Sequence, residues 1–321
     1  MVSIQPNRGK ELTNGRHGHL LAHIVRQVDD FCKSHLLLEK QPGPQASLSR
    51  SEVVTLAIFG QWYRFRGQRD FYRFAKKKLR SAFPTLPDRS QYNRLVRNYH
   101  DDIVAFFLYL VEVLEARQVL HEILDTTGVP VRNVKRRGHG WLAGMANIGW
   151  CTRLGWFNGF RLLMAANPEG VITGFGFGEG SAKDQPLAET MLALRCEADP
   201  AIPSVGRPAL GPYVVDTGFE GQDNHQRWRL LYHAAVICKP KSNSKNAWPK
   251  AWRRWFHSIR QTIETVYGKL MDFFRLDKER PHELSGFQAN LAAKMALHNF
   301  CIWLNKSLGR APLAFADLLD W

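Results

Sequence analysis

Near residue 119 the hydrophobic rhythm of this chain changes, and that change restricts the folds open to it. Upstream, apolar residues recur every three or four positions, the signature of amphipathic helices. Leu20, Leu21, Ile24, Val25, Val28 and Phe31 make one such stripe, after a polar arm over 1–16. A Pro/Gly break, QPGPQ, then precedes "SLSRSEVVTLAIFGQWYRF", where Ser49 as N-cap and Glu52 three residues on form a capping box. Two further helices, "QRDFYRFAKKKLRSAF" and "RSQYNRLVRNY", flank FPTLPD, and a longer one runs from "DDIVAFF" to about residue 118.

Downstream the elements alternate. "VLHEILDTTGVPV" reads as a strand ending at Asp125, and "WFNGFRLLMAANPEGVITGFGFGEG" as a hairpin turning on Asn-Pro-Glu-Gly. A helix over "PLAETMLALRCE" follows, then a strand "YVVDTGF" ending at Asp216, a helix from about 222 to 231, and a short strand "HAAVICK". A basic, aromatic stretch, "KPKSNSKNAWPKAWRRWF", leads into a helix around "SIRQTIETVYGKL", and a last apolar helix spans about 284 to 306. This order predicts an α/β fold, a mixed sheet with packed helices, preceded by an all-helical region. The expected division is 1–118 and 119–321.

The formal net charge is +15, and the apolar content of 45% is enough to bury a core, so the charge belongs to a folded surface facing a polyanion. Nucleic acid is the leading partner. Arg66, Arg69, Arg73, Lys76, Lys77 and Lys78, with Arg64, Arg80, Arg89, Arg94 and Arg97, are interleaved with Tyr63, Tyr72, Tyr92 and Tyr99. Either a phosphate-binding surface or an ordinary solvated helix face accounts for that pattern. The five cysteines are scattered without a C-x-x-C pair, which fits reduced thiols rather than zinc or disulfides. The polar N-terminus and the lack of any long apolar run lead us to expect a cytoplasmic protein with no membrane partner.

Asp125 and Asp216 each close an apolar strand and each is followed by Thr, and ligands of open α/β sheets bind at strand ends. In the helix around Glu264, a buried stripe of Phe256, Ile259, Ile263, Val266, Leu270 and Phe273 is flanked by a second stripe, His257, Arg260, Glu264, Tyr267 and Met271. Glu264 thus sits on the rim of the buried face. Three acids converging there would repel one another unless a cation intervened, and carboxylate oxygens suit Mg²⁺ or Mn²⁺. Two such ions suit in-line displacement at a phosphodiester. A simple i,i+4 bridge between Glu264 and Arg260 is the competing reading.

Several other residues are candidates for DNA contact: Arg260 and Lys269 beside Glu264, Lys135, Arg136 and Arg137 after the first aspartate, and Arg253 and Arg254 on the approach to Glu264. Trp248, Trp252 and Trp255 accompany the last pair, as hydrophobic packing or as platforms for unpaired bases. Asp184, before Pro186, reads as a helix cap or as a group that supports the site's ligands, with the cap the favoured reading.

These segments together resemble the bacterial insertion-sequence transposases whose DDE catalytic domain has an RNase H-like fold. The resemblance rests on "LSRSEVVTLAIF", "FYRFAKKKLRSAFPTLPDRSQYNRLV", "LDTTGVPV", "GWFNGFRLLMAANPEGVI", "GSAKDQPLAETML", "VVDTGFEG", "RQTIETVYGKLMDFF" and "FQANLAAKMALHNFCIWL", in that order. It implies that Asp125, Asp216 and Glu264 are the catalytic, metal-binding D, D and E, with Arg260 in the R-x-x-x-E position. It further implies Mg²⁺-dependent cleavage and joining of DNA at element ends, with terminal inverted repeats and target DNA as partners and a homodimer in synapsis. Two positions depart from the group: His257 and Met271 stand where Tyr and Lys are often found. They keep open a transposase-derived DNA-binding protein that does not cut.

Overall fold

The computed structural model describes residues 18–36, 46–62, 65–134, 142, 144–240 and 248–318. The chain forms two compact units, 1–109 with 285–321, and 110–284. The polar arm and the QPGPQ break lie outside the described residues, as do Tyr63, Arg64 and the triplet Lys135, Arg136 and Arg137.

The first unit is helical. It contains α1 (Gly18–His35), α2 (Arg50–Phe59), α3 (Gln68–Lys78), α4 (Arg89–Asn98), most of α5 (His100–Val113) and nearly all of α9 (Leu284–Ser307). The predicted capping box opens α2: the Glu52 carboxylate accepts from the Ser49 amide at 2.9 Å, and Ser49 Oγ accepts from the Glu52 amide at 3.3 Å. Residues Glu52–Phe59 of α2 are all buried, and α9 is apolar on nearly every side, as expected of helices at the centre of a bundle. Asn290 and Lys294 of α9 are satisfied there by Gln61 and Gln68. The sequence reading carried its second region through to 321, whereas by packing residues 285–321 group with the helices. Along α3 and α4 the cations Arg69, Arg73, Lys76, Lys77, Lys78 and Arg94 are exposed, but Tyr92 is buried and Tyr72 donates to the Pro87 carbonyl at 2.7 Å. These two tyrosines serve packing.

The second unit is built on a sheet. Among the described residues it has six strands: β1 (Glu122–Arg132), β2 (Asn147–Cys151), β3 (Gly155–Ala166), β4 (Ile172–Glu179), β5 (Tyr213–Val215) and β6 (Val236–Cys238). β1 is central, antiparallel to β3 on one side and parallel to β5 on the other; β5 in turn pairs parallel with β6. The other edge of β3 is shared, its first half by β2 and its second half by β4. α6 (Asp184–Cys196) and α7 (Gln222–Tyr232) cover one face, burying Ala188, Met191, Leu192 and Trp228 against Leu124, Leu163 and Val215. α8 (Lys250–Asp272) packs against β1 and β5 through Phe256, Ile263, Val266 and Leu270. This mixed α/β arrangement is the expected RNase H-like architecture.

Two elements differ from the reading. β1 does not end at Asp125 but runs on to Arg132, because β3 pairs along its whole length. Gly128 makes that possible, since a Cβ there would lie 2.6 Å from the Phe157 ring. β2 is unforeseen, being short and carrying exposed apolar residues instead of an inward-facing alternation.

Candidate active site

Register brings the first two acids together. The parallel pairing of Leu124 with Val215 makes Asp125 and Asp216 the next pair along β1 and β5. β5 stops at Val215, so from Asp125 onward β1 has an open edge on that side. Side chains alternate across a sheet, so both aspartates point away from the face of Leu124 and Val215, toward α8. Each is held by the amide that follows it: Thr126 N–H donates to Asp125 Oδ1 at 2.8 Å, and Thr217 N–H to Asp216 Oδ1 at 2.7 Å.

α8 supplies the rest. Tyr267, buried, donates its hydroxyl to the Asp125 carbonyl at 2.7 Å and pins the helix to β1. Two turns earlier the Arg260 guanidinium lies among the acids, 3.4 Å from Asp125 Oδ2, 3.0 Å from Asp216 Oδ1 and 3.9 Å from Glu264 Oε1. Glu264 itself is 62% exposed, so the i,i+4 contact is the weakest of the three that Arg260 makes. Burial pushes the Asp125 carboxyl up to about 6, against the pull of Arg260 and the Thr126 amide, with Asp216 and Asp184 adding to the rise.

Among the described residues no group of three or more His, Cys, Asp or Glu side chains is arranged to hold a metal ion as it stands. The acids meet on a guanidinium. That geometry still fits a cation site by its chemistry: three carboxylates are drawn to one positive group, all donors are hard oxygens, and the exposed Glu264 side chain is not fixed by packing. Arg260 Nε and Arg161 Nε are buried without a hydrogen-bond partner among the described residues, so neither guanidinium is saturated by protein.

Asp184 is not the cap it resembled. It is the first residue of α6, whose N-cap, Lys183, makes no side-chain capping bond. Its Oδ1 instead accepts from Thr126 Oγ1 at 2.7 Å and lies 3.4 Å from Arg161 Nη1, since Thr126 projects to the α6 face of β1. Arg161 in turn donates to the Trp150 carbonyl at 2.7 Å. Asp184 thus ties β1, β3 and β2 together at the site.

These groups line one cleft of about 970 Å³, with Asp125, Asp216, Asp184 and Glu264 at one part of its wall and Trp150, Trp156 and Arg153 at another. Sequence reasoning missed Arg161, the two tryptophans and the role of Tyr267. The only signal for the tryptophans was their spacing about a Gly-containing turn. The other expected contacts lie elsewhere: Arg253 and Arg254 are exposed in the first turns of α8, and Lys269 lies over the Phe273 ring at 4.9 Å. Trp252 and Trp255 are exposed and Trp248 half-buried, in an aromatic cluster with Phe256. His257 is exposed, and Met271 is buried.

Comparison with protein-family models matches residues 120–300 to the family described as "Transposase DDE domain", just over half of the chain. No curated protein and no solved structure matches it.

Proposed function

The chain belongs to the transposase DDE-domain family, and from that premise we propose that it cleaves DNA strands at insertion-sequence ends and joins them to target DNA, with Asp125, Asp216 and Glu264 as its catalytic acids. DDE transposase domains generally use divalent metal ions. The observation that carries the assignment of residues is the meeting of these three carboxylates on the Arg260 guanidinium, at the point where β5 ends and the edge of β1 opens.

Asp125, Asp216 and Glu264 would hold Mg²⁺ or Mn²⁺, two ions in all. Bound there, the ions would activate an attacking oxygen and stabilise the leaving oxygen of the phosphodiester. The protein's own groups do the rest. The Thr126 and Thr217 amides fix the orientation of the two aspartates, and Tyr267 holds β1 at the height of α8. Arg260, with an unpaired buried Nε, keeps the acids together and offers positive charge to a phosphate in the cleft. Cations beyond the cleft, the exposed Arg253 and Arg254 on α8 and the half-buried Lys269 near its end, would carry flanking phosphates, along with Lys135, Arg136 and Arg137. The helical region over 1–118 would bind the terminal inverted repeats, and pairing of two ends would take a homodimer. Among the described residues no helix is long and apolar enough to cross a membrane.

The test is strand cleavage and transfer on a plasmid carrying the DNA that naturally flanks the reading frame, with Mg²⁺. Asp125→Asn, Asp216→Asn and Glu264→Gln should each lower cleavage by about a thousandfold or more, because each removes a negative charge that would hold the metal ions. Unchanged cleavage in Asp125→Asn would show that the site is misassigned. A second reading, a DNA-binding descendant that does not cut, is favoured by His257 and by the buried Met271, which presents no cation to the cleft. It requires salt-dependent DNA binding with no metal-dependent products.

A further inference from the structure

The β2–β3 hairpin presents an aromatic face that the chemistry above does not use. Trp150 and Trp156 are paired across the two strands, 52% and 68% exposed, with Ile148 beside them at 46%. Exposed tryptophans on a rigid strand pair keep a large apolar surface in water, at a cost of roughly 25 cal/mol per Å². Such surfaces mark binding sites. These two line the same cleft as Asp125, Asp216 and Glu264, and Arg153 at the hairpin turn lines it with them.

The platform is anchored from beneath. Arg161 donates to the Trp150 carbonyl at 2.7 Å, Asn147 Nδ2 donates to Ser181 Oγ at 2.8 Å, and the Ser181 amide returns to Asn147 Oδ1 at 2.8 Å. Gly149 lies so close to the Gly180 carbonyl that a Cβ would come within 1.9 Å of its oxygen. By contrast Trp252 and Trp255 do not line the cleft and are occupied in a ring cluster with Phe256 and His121.

We propose that the Trp150–Trp156 face is a stacking subsite for an unpaired nucleobase next to the phosphate held at the acids. The occupant follows from the cleft: Arg153 and Arg161 complement a phosphate, and flat, exposed indoles complement the π-face of any base. A stretch of unpaired strand meets both requirements at once. The inference rests on the reading of the acids as a phosphodiester site.

The experiment is a fluorescence-anisotropy titration of the full chain with labelled oligothymidylate and with a strand of equal length whose central residues are abasic, at fixed salt with Ca²⁺. Both strands carry the same phosphates, so their difference reports base contacts alone. The wild type should prefer the intact strand by at least about fivefold, the scale of one stacked base. Trp150→Ala/Trp156→Ala should lose that preference while binding the abasic strand as before, and Trp150→Phe/Trp156→Phe should keep most of it. Both substitutions are at exposed side chains, and circular dichroism confirms the fold. Equal binding of both strands by the wild type, or an equal loss on both strands in the alanine variant, overturns the proposal. So does conversion of a dimer to a monomer by the alanine variant, which would make the hairpin a subunit interface. The binding readout needs no cutting: a chain that prefers the intact strand but never cleaves DNA refutes the catalytic reading alone, and one that cleaves yet binds both strands alike refutes the subsite alone.

Discussion

The second unit holds a fully buried ion pair away from the cleft. Arg195 and Glu122 are 1% and 0% exposed and meet at 2.8 Å, with Arg195 also donating to Tyr213 Oη at 2.9 Å and to the Val205 carbonyl at 2.7 Å. Removing one member leaves the other charged and desolvated, so Arg195→Ala should cost about 3–5 kcal/mol in chemical denaturation. Glu122→Leu/Arg195→Met should cost much less. Tyr267→Phe removes a single hydrogen bond to the Asp125 carbonyl and should cost about 1 kcal/mol by the same measurement, while also lowering cleavage because Asp125 is no longer set against α8. None of these contacts was visible in the sequence. Arg195 lies 73 positions from Glu122, and nothing local distinguishes a buried pair from two surface charges. The nearness of the three acids was legible from local pattern, although Asp125 lies within β1, Asp216 just past the end of β5 and Glu264 on a helix rim.

Elements were legible in proportion to how much of their own stabilisation is local. The capping box of α2 contains both of its partners within four residues, and Ser49→Ala should destabilise the helical unit by about 1 kcal/mol, read as a lowered melting temperature. The length of β1 was not legible, because Thr-Thr-Gly-Val-Pro resembles a turn and only the long antiparallel partner β3 makes it a strand. β2 was hidden for the same reason: its five residues have no inward alternation of their own and are fixed by β3 and by the loop at Gly180. Gly149→Ala should therefore displace β2 from that loop, costing about 1–3 kcal/mol as overpacking does, and should abolish the preference for an intact over an abasic strand. Asp184 was misread as a cap because a carboxylate before Gln-Pro satisfies the local rule, while its partners Thr126 and Arg161 come from distant strands.

Over the whole chain, the order of helices and strands was enough to place an α/β unit after a helical one, and the family match over residues 120–300 agrees. The grouping of residues 285–321 with the N-terminal helices was not legible, since an apolar helix is compatible with either core. The formal charge of +15 makes DNA affinity fall steeply with salt, a slope measurable in the same anisotropy titrations. We propose that Asp125, Asp216 and Glu264 form one cation site, with Arg260 drawn to the same point by the same charge. Calorimetric titration of Mn²⁺ into the protein tests it most directly. Saturable binding in the wild type that is lost in each of Asp125→Asn, Asp216→Asn and Glu264→Gln is the expected result, and binding that persists unchanged in any one of the three variants would contradict it.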